Sequence, residues 1–246
     1  MKLFIVVSNF KKYEKNTTSI IKQLLKFFDI SLSKDDSMTL FKNVSYHLFD
    51  IKDADYVVSI GGDGTFLKAC RLSLIPQKRV IGIRVGRRGY LCSFDSKEII
   101  TKAKIEKLTF KKEITLKTKY GVAINDVIVG KDNFGKTTSL KVSVDNKDLC
   151  EFRSDGVIVA SKLGSNAYSK ACGAPVIVTK NRFIITAICP CYGEFKYKQV
   201  LDKMKITISL LSKHYPASIY CDGEKIASLN NSVTINKADK QLRIIQ

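Results

Sequence analysis

The apolar positions fall into two rhythms. Near the N-terminus, Leu3-Phe4-Ile5-Val6-Val7 is a continuous apolar run, and Ala54–Ile60 and Arg79–Val85 are two more of similar length. Runs of this kind suit strands buried on both faces of a parallel sheet. Between them the spacing turns helical. Asn16, Thr17 and Thr18 are helix-start residue types, and Ile20, Ile21, Leu24, Leu25 and Phe28 follow at helical spacing. Thr65 to Leu74 reads as a second helix, with Phe66, Leu67, Cys70 and Leu74 on one face and Pro76 closing it. Strand and helix alternate, which predicts an α/β domain with a Rossmann-like parallel sheet over residues 1–95.

After about residue 95 the texture changes. A lysine-rich stretch, Lys97 to Lys112, leads into short alternating segments: Val122–Ile124, Leu140–Val144, Gly156–Ala160, Phe183–Thr186, Ile206–Leu210 and Val233–Ile235. Strands this frequent, with turn residues between them, predict a mainly β, sandwich-like domain over 96–246. The last residues are expected to pack back on the N-terminal domain.

A chain of 246 residues fits one large domain or two modest ones and can bury a core without disulfide staples. No apolar run approaches the roughly 18 residues that a membrane helix needs, so membrane insertion is not expected. The apolar run Leu3–Val7 is too short for an export signal, so the seven cysteines read as reduced thiols and the expected location is cytoplasmic. The net charge of +19 invites a nucleic-acid reading. However, the 42 cations include only eight arginines, and the lysines run the whole length with no basic tail, which describes a solvated basic surface. Five arginines (Arg71, Arg79, Arg84, Arg87 and Arg88) fall within one short stretch. Arginine is the residue of bidentate phosphate recognition.

Gly61-Gly62-Asp63-Gly64-Thr65 joins a predicted strand to a predicted helix. Its glycines let backbone approach a ligand closely, and the helix start offers N–H groups and a positive dipole end to phosphate. It is neither a Walker A loop nor a Gly-x-Gly-x-x-Gly dinucleotide loop. Gly86-Arg87-Arg88-Gly89 follows the next strand, as that loop does, and parallel sheets take ligands outside the carboxyl ends of their strands. Arg84, Arg87 and Arg88 are therefore expected on the phosphate chain of a bound ligand; the alternative is that they pair with carboxylates at a subunit contact. Asn125-Asp126 opens a further strand, Asp155-Gly156 precedes Leu163-Gly164-Ser165-Asn166-Ala167-Tyr168, and Cys221-Asp222-Gly223 lies far downstream. The two histidines, His47 and His214, are far apart, which makes a histidine triad or zinc site hard to build. Cys189-Pro190-Cys191 could join Cys172 or Cys221 on a metal, but proper ligand spacing is missing, so no protein-held metal is expected.

Together these segments resemble the NAD kinase family in order and spacing, from about residue 56 to about 225. That family carries a Gly-Gly-Asp-Gly-Thr loop, an Asn-Glu pair, a Thr-Gly-Ser-Thr-Ala-Tyr segment and a late Asp-Gly. The resemblance implies phosphorylation of the 2′-hydroxyl of the adenosine ribose of NAD, giving NADP, with Mg-ATP or polyphosphate as donor and Mg²⁺ as the cation. It implies Asp63 as general base, with Gly61, Gly62, Gly64 and Thr65 along the donor phosphates. Asn125 would hold the adenine side of NAD and Asp126 a ribose hydroxyl. Tyr168 would stack on adenine, Asn166 and Ala167 would add polar and backbone contacts, and Asp222 would complete the pocket. Asp155 would reach the nicotinamide end from a neighbouring subunit of a homodimer or homotetramer, and the site would lie between the two domains. The sequence departs from the family pattern in four places. Asp126 stands for glutamate, Leu163 and Asn166 stand for threonines, and Arg87-Arg88 replaces a neutral pair. The rival readings are a lipid kinase of the diacylglycerol or sphingosine type, which shares the glycine loop, and a non-catalytic nucleotide- or nucleic-acid-binding protein.

Overall fold

The computed structural model describes residues 1–7, 10–32, 49–86, 91–133, 135–191, 195–212 and 214–245. The chain forms two compact units, Met1–Glu113 with Lys240–Gln246, and Ile114–Asp239. Among the described residues no helix is long and apolar enough to cross a membrane.

The first unit is built on strands β1 (Lys2–Val7), β2 (Asp29–Leu32), β3 (Tyr56–Gly61), β4 (Arg79–Arg84), β5 (Phe94–Asp95), β6 (Phe110–Glu113) and β19 (Leu242–Ile245). They form one sheet in the order β2-β1-β3-β4-β19-β6, with β5 also on β4. Every pair is parallel except β19 with β6. The sheet is therefore mixed, where the apolar runs predicted a parallel one. The antiparallel pair was hidden because β6 reads as lysine-rich.

Alternation sorts this sheet's side chains to two faces. Leu3, Ile5, Tyr56, Val58, Ile81 and Ile83 share a core with Ile21 and Leu24 of helix α1 (Phe10–Leu24) and with Ile105 of helix α3 (Lys102–Glu106). On the other face a Cβ at Gly82 would lie 2.9 Å from a ring carbon of Phe66, so helix α2 (Asp63–Leu74) packs there at close range. Both helices begin earlier than the cap residues suggested. Helix α1 takes in Asn16–Thr18 and has a non-helical residue at Tyr13, because the apolar stripe outweighs the capping preference of those three side chains. The lysine-rich stretch after residue 95 holds α3 and β6, and the division between units falls at 113/114.

The second unit holds two six-stranded sheets. The first, in the order β11-β10-β15-β18-β7-β8, uses Lys147–Ser154, Thr138–Val144, Ile206–Leu210, Ser232–Lys237, Leu116–Thr118 and Gly121–Ala123. The second, in the order β14-β13-β12-β9-β16-β17, uses Tyr197–Leu201, Arg182–Ile188, Gly156–Ala160, Asp126–Lys131, Ala217–Cys221 and Glu224–Leu229. All pairs are antiparallel. Leu140, Ile208 and Val233 of the first sheet share one core with Val129, Val157 and Phe183 of the second. Strand β12 is buried on its other face too, where Ile158 and Ala160 meet Ala174 and Ile177. Its uninterrupted apolar run follows from that double burial.

Candidate active site

In the first unit, the glycine loop leaves β3 and enters α2 with Gly62 as the N-cap and Asp63 in the first turn. Gly61 is required by close approach, since a Cβ there would meet the Thr65 hydroxyl at 2.2 Å. Thr65 is thus buried beneath Gly61, in place to support the loop rather than to line its open side. Asp63 accepts a hydrogen bond at Oδ1 from the Leu91 N–H, 2.9 Å away. Its carboxylate also lies beside Cys92, whose thiol is pushed up to about 12 by burial and, second, by the Asp63 charge.

Gly64 is different. It is exposed, and a Cβ there would meet nothing within 4 Å. Chain packing therefore gives no reason for glycine at this helical position, where alanine is favoured by about 0.5–1 kcal/mol. Open space at a helix N-terminus is where a phosphate would sit. Gly64→Ala is expected to raise the melting temperature slightly, and a thermal melt no higher than the parent's would contradict this reading of the open position.

Arg84 does not project freely. Its Nη2 lies 2.7 Å from Asp95 Oδ2, both side chains being about two-fifths exposed. The hydrogen bond from Arg84 holds the Asp95 carboxyl below its usual range. A carboxylate partner is the alternative weighed for this cluster, and here the partner is in the same chain. Arg87 and Arg88 lie outside the described residues, as does His47.

In the second unit, three segments converge on the turn between β8 and β9. Asp222 and Gly223 form the two-residue turn of the β16–β17 hairpin, both with positive φ (49° and 85°), the conformation that Asp-Gly favours. The Asp222 carboxylate accepts from the backbone N–H groups of Ile124, Asn125 and Asp126 at 2.7–3.3 Å. The second segment is the turn after β12. Ser161 donates its hydroxyl to the Ile124 carbonyl at 2.7 Å, and its N–H to the Asn125 carbonyl at 2.8 Å. A Cβ on Gly164 would sit 2.1 Å from that same Asn125 carbonyl oxygen, so only glycine fits.

The third segment is the short helical stretch that follows, Gly164–Asn166 and then α4 (Tyr168–Ala171). Ser161, Ser165 and Ser169 recur every four residues and are fully buried. Ser165 accepts from the Ile177 N–H, and Ser169 bonds Thr186 at 2.8 Å. This inward row turns Asn166, Ala167 and Tyr168 outward, and all three are exposed, Tyr168 at 44%. Asn166 Oδ1 accepts from Lys170 Nζ at 3.1 Å. Partial burial, followed by Cys172 and Cys189 and then by the Asp155 and Asp126 charges, raises the Tyr168 phenol above its ordinary value. Asp155 is ion-paired with Lys131 of β9.

Two polar groups at the turn are under strain. The side-chain oxygen of Asn125 is buried and has no hydrogen-bond partner among the described residues. An unsatisfied buried acceptor costs about 1–3 kcal/mol, and a donor such as an adenine amino group would satisfy it. Asp126 is buried, and its carboxyl is raised to about 7, first by desolvation and then by the Asp222 charge. The folded protein thus keeps a proton that the unfolded chain releases near pH 4. Stability should fall as pH rises from about 4 to about 7 and then level off, by up to roughly 4 kcal/mol for this group. Asp126→Asn is expected to gain stability relative to the parent across that window, read as melting temperatures at pH 5 and 8. An equal difference at both pH values would contradict the shift.

Sequence reading singled out Asp222 and Asn125 but missed Gly164, Ser161 and Lys131, which hold Asn125 and Asp155 in place. The period of four in Ser161, Ser165 and Ser169 was the available signal. Among the described residues no three His, Cys, Asp or Glu side chains gather as a metal site.

Two family models match the chain: the ATP-NAD kinase N-terminal domain over residues 6–108 and the ATP-NAD kinase C-terminal domain over 124–246. The chain belongs to the ATP-NAD kinase family. An NAD kinase of Campylobacter jejuni subsp. jejuni is 30% identical to it, covering 92% of this chain and 86% of its own. An NAD kinase of Chloroherpeton thalassium is 29% identical, covering 88% and 81%. The fold is also that of two solved family structures. An Archaeoglobus fulgidus NAD kinase in complex with ATP superimposes with a TM-score of 0.80 at 23% identity, covering 100% of this chain and 94% of its own. Yeast NADH kinase complexed with NADH gives 0.84 at 18%, covering 100% and 83%.

Proposed function

We propose that the protein is an NAD kinase that transfers a phosphoryl group to the 2′-hydroxyl of the adenosine ribose of NAD, giving NADP. Family membership over both halves of the chain carries this reading. The orphaned Asn125 oxygen and the outward Tyr168 ring support it, because an adenine offers that oxygen a donor and that ring a stacking partner. Asp126 accepts from a ribose hydroxyl in its ionised form. Asn166 and Ala167 add contacts at the same exposed surface, and Asp222 fixes the turn that carries Asn125 and Asp126.

Asp63 orients the hydroxyl and accepts its proton, while Gly62 and Gly64 present N–H groups to the donor phosphates over a loop held by Gly61 and Thr65. Phosphoryl transfer asks for positioning and charge neutralisation more than covalent help. The family description names ATP, which favours Mg-ATP over polyphosphate as donor. Mg²⁺ keeps several waters and prefers phosphate oxygens, so it suits entry on the donor rather than residence in a protein cage. It would neutralise charge on the transferring phosphates. Arg87 and Arg88 complete the donor side. A homo-oligomer in which Asp155 serves a neighbouring site, and a cytoplasmic location, belong to the same proposal; all seven cysteines are unbridged.

Tyr168→Ala should weaken NAD binding by about 1–3 kcal/mol with little loss of stability, since the ring is already exposed. Normal NAD affinity with early melting would assign Tyr168 to packing instead. The activity itself is tested by supplying NAD with Mg-ATP or with polyphosphate and following NADP. NADP with ATP is expected; no NADP with either donor would refute the proposal.

A further inference from the structure

At the strand-start end of the first unit's sheet, the rows change character. Residues paired across neighbouring strands project from the same face. Tyr56 pairs with Arg79, Arg79 with Arg243, and Arg243 with Lys112. Three cations therefore stand side by side on β4, β19 and β6, on the face that one step further in holds Val58 and Ile81. Like charges directly opposite one another are destabilising. Among the described residues no carboxylate oxygen lies within 4 Å of any of the three.

Arg79 and Arg243 of this row line a cavity of about 530 Å³ together with Lys78, Lys102 and Gln77, with Asp55 and Glu106 as its acids. Asp55 is engaged elsewhere, accepting from the Lys2 N–H at 2.7 Å. The Arg79 guanidinium lies over the Phe110 ring, 5.2 Å from its centroid, and Phe110 in turn stacks on Tyr56. That stack limits where the Arg79 fork can point. The glycine loop is at the other end of the same strands, about 16 Å away at strand rise.

We propose that this cavity is a second anion site, separate from the donor loop, for a small molecule bearing two or more phosphate groups. Arg79 and Arg243 supply two forks for bidentate contacts, and Lys78 and Lys102 add point charges. Four lining cations against two carboxylates leave an excess that a single phosphate does not balance.

The test uses the side-chain Nε–H signals of arginine in the ¹⁵N-labelled protein, which has only eight arginines. Arg79→Gln and Arg243→Gln each remove one signal and so assign it. Titration with inorganic pyrophosphate is expected to shift both signals saturably, at lower concentration than orthophosphate does. In Arg79→Gln, the Arg243 signal should saturate at a concentration higher by about tenfold or more. Arg79→Lys, which keeps the charge and loses the fork, should fall between. Adenosine 5′-diphosphate in a parallel titration separates sources: tighter than pyrophosphate indicates a nucleotide, weaker a bare phosphate chain. Signals that do not saturate would overturn the site. So would an equal loss of affinity in Lys15→Gln/Lys22→Gln on α1, since that would reduce the effect to the protein's general positive charge.

Discussion

Asp63→Asn is expected to lower kcat by about 10²–10⁴-fold, the usual contribution of a positioned base. Among the kinetic constants the effect should be confined to turnover. An asparagine Oδ1 can still accept from the Leu91 N–H that orients Asp63 at 2.9 Å, and the side chain is nearly isosteric. What is lost is the ability to take a proton, together with a negative charge in the first turn of α2. The second loss costs about 0.3–1 kcal/mol of stability through the helix dipole. The check is kcat and both KM values, beside a thermal melt. Turnover close to that of the parent would remove Asp63 from the mechanism.

The largest loss of stability is expected from Asp222→Ala. It strips the acceptor from three backbone N–H groups at once. Ile124 and Asp126 are buried, so water does not replace it easily. At about 1–3 kcal/mol per unsatisfied group, a loss of roughly 3 kcal/mol or more follows. For a chain of this size that is a fall in melting temperature of about 6–12 °C. NAD affinity should fall as well, because the turn that presents Asn125 and Asp126 loosens. Asp222→Asn separates the two contributions of the side chain. Asparagine tolerates the positive φ at this position and keeps one acceptor, but it removes the charge that helps hold Asp126 up. The neutral variant should melt closer to the parent and titrate Asp126 at lower pH. An alanine variant as stable as the parent would show that the carboxylate does not hold the turn.

The parts of the site legible in sequence are those whose chemistry is local. The glycine loop reads directly because Gly61, Gly62, Asp63 and Gly64 are contiguous and flanked by a strand and a helix. The outward placement of Tyr168 follows from a serine row of period four, visible once that row is noticed. What stayed hidden depends on distant residues. The mate of Asp222 is a turn almost a hundred positions earlier. Lys131 meets Asp155 only because β9 and β12 are neighbours, and Arg84 finds Asp95 across β4 and β5. For the same reason the N-terminal sheet read as parallel: its last two strands lie beyond the region where strand and helix alternate. Glycine composition misled in one respect, since Gly61 and Gly64 look alike in sequence. One is fixed by the Thr65 side chain, and the other has open space around it.

The most direct measurement of the central claim is a single-turnover experiment with NAD and Mg-ATP labelled in the γ-phosphoryl group, with the dinucleotide product separated and the position of its new phosphate determined. Transfer of label to the 2′-position of the adenosine ribose, and its near-absence with Asp63→Asn, is the predicted result. Label found only as inorganic phosphate, or on another hydroxyl, would contradict it.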